Sequence, residues 1–235
     1  MIAFIHGYGT NVSSFFQRPK DPVHKGFLFL QAEIAQQNAK GYDWSIPYSL
    51  SFWQAVNPFV QLQIYWRERS LVYDRTQQKI LFEFLQDVKP TVIVCHSLGC
   101  DFLLETLGSF GMPTSLQQII FLQADVDRNY FREHFHLQHR LTDQHIKLKN
   151  LFCPWDPTLI FSCLLHLTVR AGLTGFNTDK VVNQFWPARI LPDLHTSCLK
   201  DMRTLGYVTK PDRMRRTSAP LPTLIYSLHA HTDIQ

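Results

Sequence analysis

No stretch of this chain approaches the ~18 consecutive apolar residues of a membrane-spanning helix, so no membrane span is expected. No secretory signal is expected either: the apolar run that follows Met1 is cut short by His6-Gly7, too early for a signal's apolar core. The cysteines number only five, an odd count, and none forms a C-x-x-C pair. Cys95, Cys100, Cys153, Cys163 and Cys198 sit mostly in apolar surroundings and read as buried thiols of a reducing compartment. There is no glycine-rich phosphate loop and no dinucleotide fingerprint, so no cofactor is expected. His134, His136, His139 and His145 lie close together, and His136 and His139 would share a helical face. Without an H-E-x-x-H motif or a cysteine partner they read as partly exposed side chains, and no metal is expected. Charge is sparse: 18% of residues are charged and the net charge is +4. The basic residues are scattered until Lys210, so no nucleic-acid partner is expected. Internal repeats are absent. On these absences a soluble, cytoplasmic globular protein is expected.

A hydrophobic fraction of 45% over 235 residues is enough for one sizeable core. Apolar runs at Ile2–Ile5, Val92–Val94, Gln118–Leu122, His145–Phe152 and Lys180–Trp186 read as strands. An alternating run, Tyr42–Tyr48, reads as a half-buried strand whose Pro47 suits a sheet edge. Between them, helices are expected at Val23–Asn38, from the Asp74 cap to Val88, after Gly99, at Thr158–Ala171 and at Ser197–Leu205. On the Asp74 helix, Ile80, Leu81, Phe84, Leu85 and Val88 are expected to share a buried face. Alternating strands and helices predict an α/β fold: a mostly parallel sheet of about six strands with helices on both faces. Residues 49–73 are aromatic and read as an irregular lid or a cover for the sheet edge. From Tyr207 the chain turns basic and proline-bearing, so 1–206 is expected to form the domain and 207–235 a basic linker and tail.

The informative stretch is Thr91–Gly99, T-V-I-V-C-H-S-L-G, in which a β-branched run meets a serine turn and then a helical pattern. Strand, sharp turn and helix with a serine at the apex is the setting of a nucleophile elbow, whose residues two before and two after the serine must be small. Gly99 and Cys95 occupy those positions. Upstream, Ile2–Gly9 reads I-A-F-I-H-G-Y-G, the form of a strand and an oxyanion loop. On these pieces, the chain from Ile2 to Gly206 resembles an α/β-hydrolase with its first two strands missing. Ala124–Asp127, A-D-V-D, is more weakly similar to bacterial members of undefined substrate.

The resemblance implies ester hydrolysis through an acyl-enzyme, with thioester or amide cleavage as variants and an apolar acyl substrate as partner. Ser97 is the expected nucleophile, needing a base to take its proton and an acid to orient that base. His195, after the last core strand, is the expected base; His229 or His231 replaces it if Leu224–Tyr226 is the true last strand. Asp156 stands where the family places its acid, although Asp156-Pro157 is also an N-cap followed by proline. Asp125 and Asp127, after the preceding strand, are its rivals. Backbone amides of Tyr8 and Leu98 are expected to hold the oxyanion, with His6 and His96 orienting the loop. Trp53, Phe59 and Trp66 are expected to contact the substrate. The alternative is a binding or scaffold protein of hydrolase fold that has lost turnover. The sequence leaves the oligomeric state open.

Overall fold

The computed structural model describes residues 1–8, 39–44 and 57–185. The expected helices at 23–38 and 197–205, Trp53, His195, His229, His231 and the tail 207–235 lie outside the described residues. Six parallel strands form one sheet: β1 (Ile2–Ile5), β2 (Ala39–Tyr42), β3 (Val92–His96), β4 (Gln118–Leu122), β5 (Lys147–Phe152) and β6 (Val181–Phe185), in the order β2-β1-β3-β4-β5-β6. Around it lie α1 (Pro58–Val72), α2 (Arg75–Val88), α3 (Leu98–Phe110), α4 (Tyr130–Glu133), α5 (Phe135–Asp143), α6 (Pro157–His166) and α7 (Ala171–Thr174). The α/β class read from the sequence is the class observed.

Every residue of β1 and of β4 is buried, as expected of parallel strands covered on both faces. One face places Ala3, Ile5, Ile93, Cys95, Ile119, Phe121, Leu148 and Val181 in the core with Leu81 and Leu85 of α2 and Phe102, Leu103 and Leu107 of α3. The register sets Cys95 between Ile5 and Phe121, so β1, β3 and β4 end side by side. In a parallel sheet those ends form a single edge, where crossover loops converge and ligands bind.

Four local expectations need correction. The edge strand is Ala39–Tyr42, earlier than the alternating run predicted, of which residues 45–48 lie outside the described residues. Beyond it, Trp44 is buried against His6 and Phe102, so its alternation with Tyr42 reports burial, not continued pairing. Within 49–73, residues 58–72 are a regular helix. Asn57 Oδ1 accepts from the Phe59 amide at 3.0 Å and Pro58 occupies the first turn, an ordinary helix start. Its buried stripe is Ile64, Glu68 and Val72, and the glutamate at its centre hides the period from a hydrophobicity reading. On α2 the buried stripe is Gln78, Leu81, Leu85 and Val88, leaving Ile80 exposed. The helix expected at 158–171 ends at His166 and resumes as the short α7.

Candidate active site

Ser97 joins β3 to α3 with φ 52° and ψ −126°. Such a backbone costs a side-chain-bearing residue on the order of 1–3 kcal/mol and is maintained only where the surroundings impose it. They do so here: the Ser97 amide donates to Leu122 O at 3.0 Å, and Ser97 O accepts from Cys100 N at 3.0 Å and Asp125 N at 3.2 Å. Two glycines let the neighbouring backbone close in. A Cβ on Gly7 would stand 2.7 Å from Ser97 Cβ, and one on Gly99 would overlap the carbonyl oxygen of His6. Cys95 fits because its side chain is fully buried in the sheet, with Sγ 3.6 Å from Ile120 O.

Ser97 opens α3, whose first amides, Leu98 and Gly99, have no carbonyl one turn back to bond. The positive end of the helix therefore faces the serine. Opposite it runs His6-Gly7-Tyr8. The His6 ring stacks on Trp44 with centroids 5.5 Å apart; its Nδ1 lies 2.8 Å from Gly7 O and its Nε2 3.2 Å from Asp43 Oδ1. Burial lowers the His6 pKa, opposed by the Gly7 carbonyl and Asp43. The ring thus braces the loop. Tyr8 turns its hydroxyl to Gln61 of α1, donating to the backbone O at 3.0 Å or Oε1 at 2.9 Å.

Asp156 is fully buried at the end of β5. Its Oδ1 accepts the α6 amides of Thr158 (2.9 Å) and Leu159 (3.2 Å), so the N-cap role anticipated in the sequence is real. Its Oδ2 accepts from Gln123 Nε2 at 2.9 Å. Gln123 is a residue the sequence reading missed. It is fully buried just past β4 with φ 47°, and its only signal was an amide directly after an apolar strand.

The rival acids have other partners. Asp125 forms a buried ion pair with Arg170 Nε at 3.1 Å, accepts a hydrogen bond from Ser162 Oγ on the same oxygen, and accepts from Tyr65 hydroxyl on the other at 3.1 Å. Asp127 Oδ1 accepts from the Asn129 amide at 2.7 Å and closes the turn into α4. His166 Nε2 lies 2.7 Å from the Tyr65 hydroxyl. A tyrosine has one proton, and it is directed to the Asp125 carboxylate, so His166 must donate and its proton sits on Nε2. Burial, with Arg170 and Arg69 nearby, pushes the His166 pKa down to about 4, so the ring is neutral at neutral pH.

Another buried acid, Asp101, lies one turn after Ser97. It accepts from Tyr73 hydroxyl at 3.1 Å and pairs with Arg69 Nη1 at 3.5 Å. Burial raises its pKa to about 7 against the pull of Arg69. Tyr65, Arg69 and the adjoining Tyr73 thus tie α1 to the sheet's carboxyl edge through two buried carboxylates.

Ser97, the Leu98 amide, Tyr8 and Asp156 therefore all lie at the carboxyl ends of β1, β3 and β5. Ser97 itself keeps 3% of its surface exposed, and no hydrogen bond to its hydroxyl comes from the described residues. Phe59 and Trp66 both reach solvent from α1, with Trp66 edge-on to His166 at 5.1 Å. Comparison with family models, with curated proteins and with solved structures gives no match to this chain.

Proposed function

We propose that this chain is a serine hydrolase of the α/β-hydrolase kind, cleaving a carboxylic ester through an acyl-enzyme. The observation that carries the reading is Ser97 itself: a serine held at φ 52° and ψ −126° where glycine would cost nothing. A strained residue whose side chain is dispensable tends to be replaced by glycine, so its hydroxyl is the feature retained. The strand order supports the reading, because it places Ser97 beside the β1 loop and one strand from the end of β4. In the proposed reaction Ser97 Oγ attacks the ester carbonyl and His195 takes its proton. The amides of Tyr8 and Leu98 stabilise the oxyanion, a donor of this type contributing ~3 kcal/mol. His195 returns the proton to the leaving alcohol, and water then repeats the sequence to free the acid. Asp156 orients His195, while Gln123 and the α6 amides hold the carboxylate in place. An acid that also caps a helix is pre-positioned, so the two roles are compatible.

A fluorophosphonate probe tests this directly. It should label the wild-type protein at Ser97, and Ser97→Ala should be unlabelled though folded. Absence of labelling in folded wild-type protein would instead favour a binding protein of the same fold.

A further inference from the structure

From the outer side of α6 we infer that two copies of this chain meet there in a two-fold symmetric dimer. The buried side of the helix is Leu159 and Ser162, and His166 continues that side by meeting Trp66 and the Tyr65 hydroxyl. The opposite side carries Ile160 (45% exposed), Phe161 (56%) and Leu164 (70%), with Leu167 (89%) just past the last turn. These positions follow i, i+1, i+4 and i+7, so they form one stripe. Trp155, 63% exposed, stands directly before the Asp156 cap, at the position that commonly packs on the fourth helical residue, here Ile160. Leu167 carries an independent mark. It ends α6 at φ 53° and ψ 30°, a left-handed conformation in which glycine is the usual residue. A leucine there strains the backbone and leaves nearly its whole side chain in water. A side chain kept against both penalties is one that a partner covers.

Area and charge select that partner. The five residues leave about 600 Å² of mostly apolar surface open, the upper end of what a monomer usually shows in one patch. With Pro157 and Thr158 exposed at its rim, the stripe approaches the ~800 Å² that each side of an ordinary stable interface buries. From Trp155 to Val169 the chain has no lysine or arginine and one carboxylate, Asp156, which is fully buried. His166 is neutral, its pKa pushed down to about 4 chiefly by burial. Such a surface offers no charge for a nucleic acid, a charged peptide or an anionic bilayer to answer. It does match itself: a two-fold axis sets the stripe against its own copy, apolar on apolar, with no like charges opposed. The dimer does not rest on the hydrolase reading.

Sedimentation equilibrium of the full chain tests it. The wild-type chain should show a reversible monomer–dimer equilibrium. Phe161→Ser and Leu164→Ser should each weaken it at least about a hundredfold, because one substitution withdraws two large apolar side chains from the dimer. Leu164→Glu and Leu164→Lys should each sediment as monomers, and mixing the two should restore a dimer, since position 164 lies mid-stripe and unlike charges then face each other. Leu167→Gly separates covering by a second copy from covering within one chain. It should weaken the dimer about tenfold or more, yet the dilute monomer should resist urea at least as well as wild type, because glycine relieves the positive φ. A wild-type chain that is monomeric at every concentration would overturn the inference. So would a dimer that Phe161→Ser and Leu164→Ser leave unchanged, or Glu and Lys chains that do not pair on mixing. A monomer weakened by Leu167→Gly would overturn it too, for the stripe would then be covered from within its own chain.

Discussion

Three residues determine whether position 97 can work: the serine and the two glycines packed around it. Ser97→Gly relieves the positive-φ strain and should raise stability by about 1 kcal/mol over Ser97→Ala, read from chemical denaturation. If the proposed reaction holds, both replacements should lower ester turnover by several orders of magnitude. The glycines should differ from each other. An alanine at 7 meets Ser97 Cβ at 2.7 Å and the ring and carbonyl oxygen of His96 at 3.0 Å, whereas one at 99 overlaps the carbonyl oxygen of His6 and meets only backbone. The overlap at 99 is the deeper one and has no side chain that could move aside. Gly7→Ala should therefore cost about 1–3 kcal/mol and reduce labelling; Gly99→Ala should cost more and leave little folded protein. Equal tolerance at both positions would mean that the elbow is looser than its geometry indicates.

At the scale of elements, the sequence announced those parts whose signals are local. The elbow was legible because a β-branched run, a small-residue turn and an apolar helix follow one another without interruption. α2 was legible from its Asp74 cap, where Oδ1 accepts the Thr76 amide at 2.7 Å, although the phase of its buried stripe was misjudged at Ile80. α1 was illegible for a physical reason: it buries a glutamate and fixes itself through Tyr65 and Arg69, groups that carry no hydrophobic period. Gln123 was hidden for a related reason, since its partner, Asp156, is 33 residues away. The same polar attachment makes a prediction. Tyr65→Phe deletes one hydroxyl and leaves Asp125 with Arg170 and Ser162, so it should cost about 1–2 kcal/mol. Asp125→Ala strands a buried arginine, only 3% of whose side chain is exposed, and should cost about 3–5 kcal/mol. Urea denaturation of the two variants should give that order.

Across the whole molecule, a buried and a half-buried titrating group pull stability in opposite directions as pH changes. Asp101 has its pKa raised to about 7 by burial, whereas an unfolded aspartate titrates near ~3.9. Between those values the folded chain holds a proton that the unfolded chain has lost, so this group's contribution falls as pH rises from ~4 to ~7. His166 has its pKa lowered to about 4, chiefly by burial, against ~6.5 when unfolded. In that window the unfolded chain holds the extra proton, so this contribution grows as pH rises from ~4 to ~6.5. The natural protein should thus show little net slope from this pair, and single substitutions should expose each half. The stability difference between Asp101→Asn and wild type should move in the variant's favour as pH rises through the window, by on the order of 4 kcal/mol at most. The difference for His166→Gln should move against the variant over the same range. Denaturation midpoints of the three proteins at several pH values give the two slopes, and slopes of the same sign would contradict the burial that α1 imposes on the carboxyl edge.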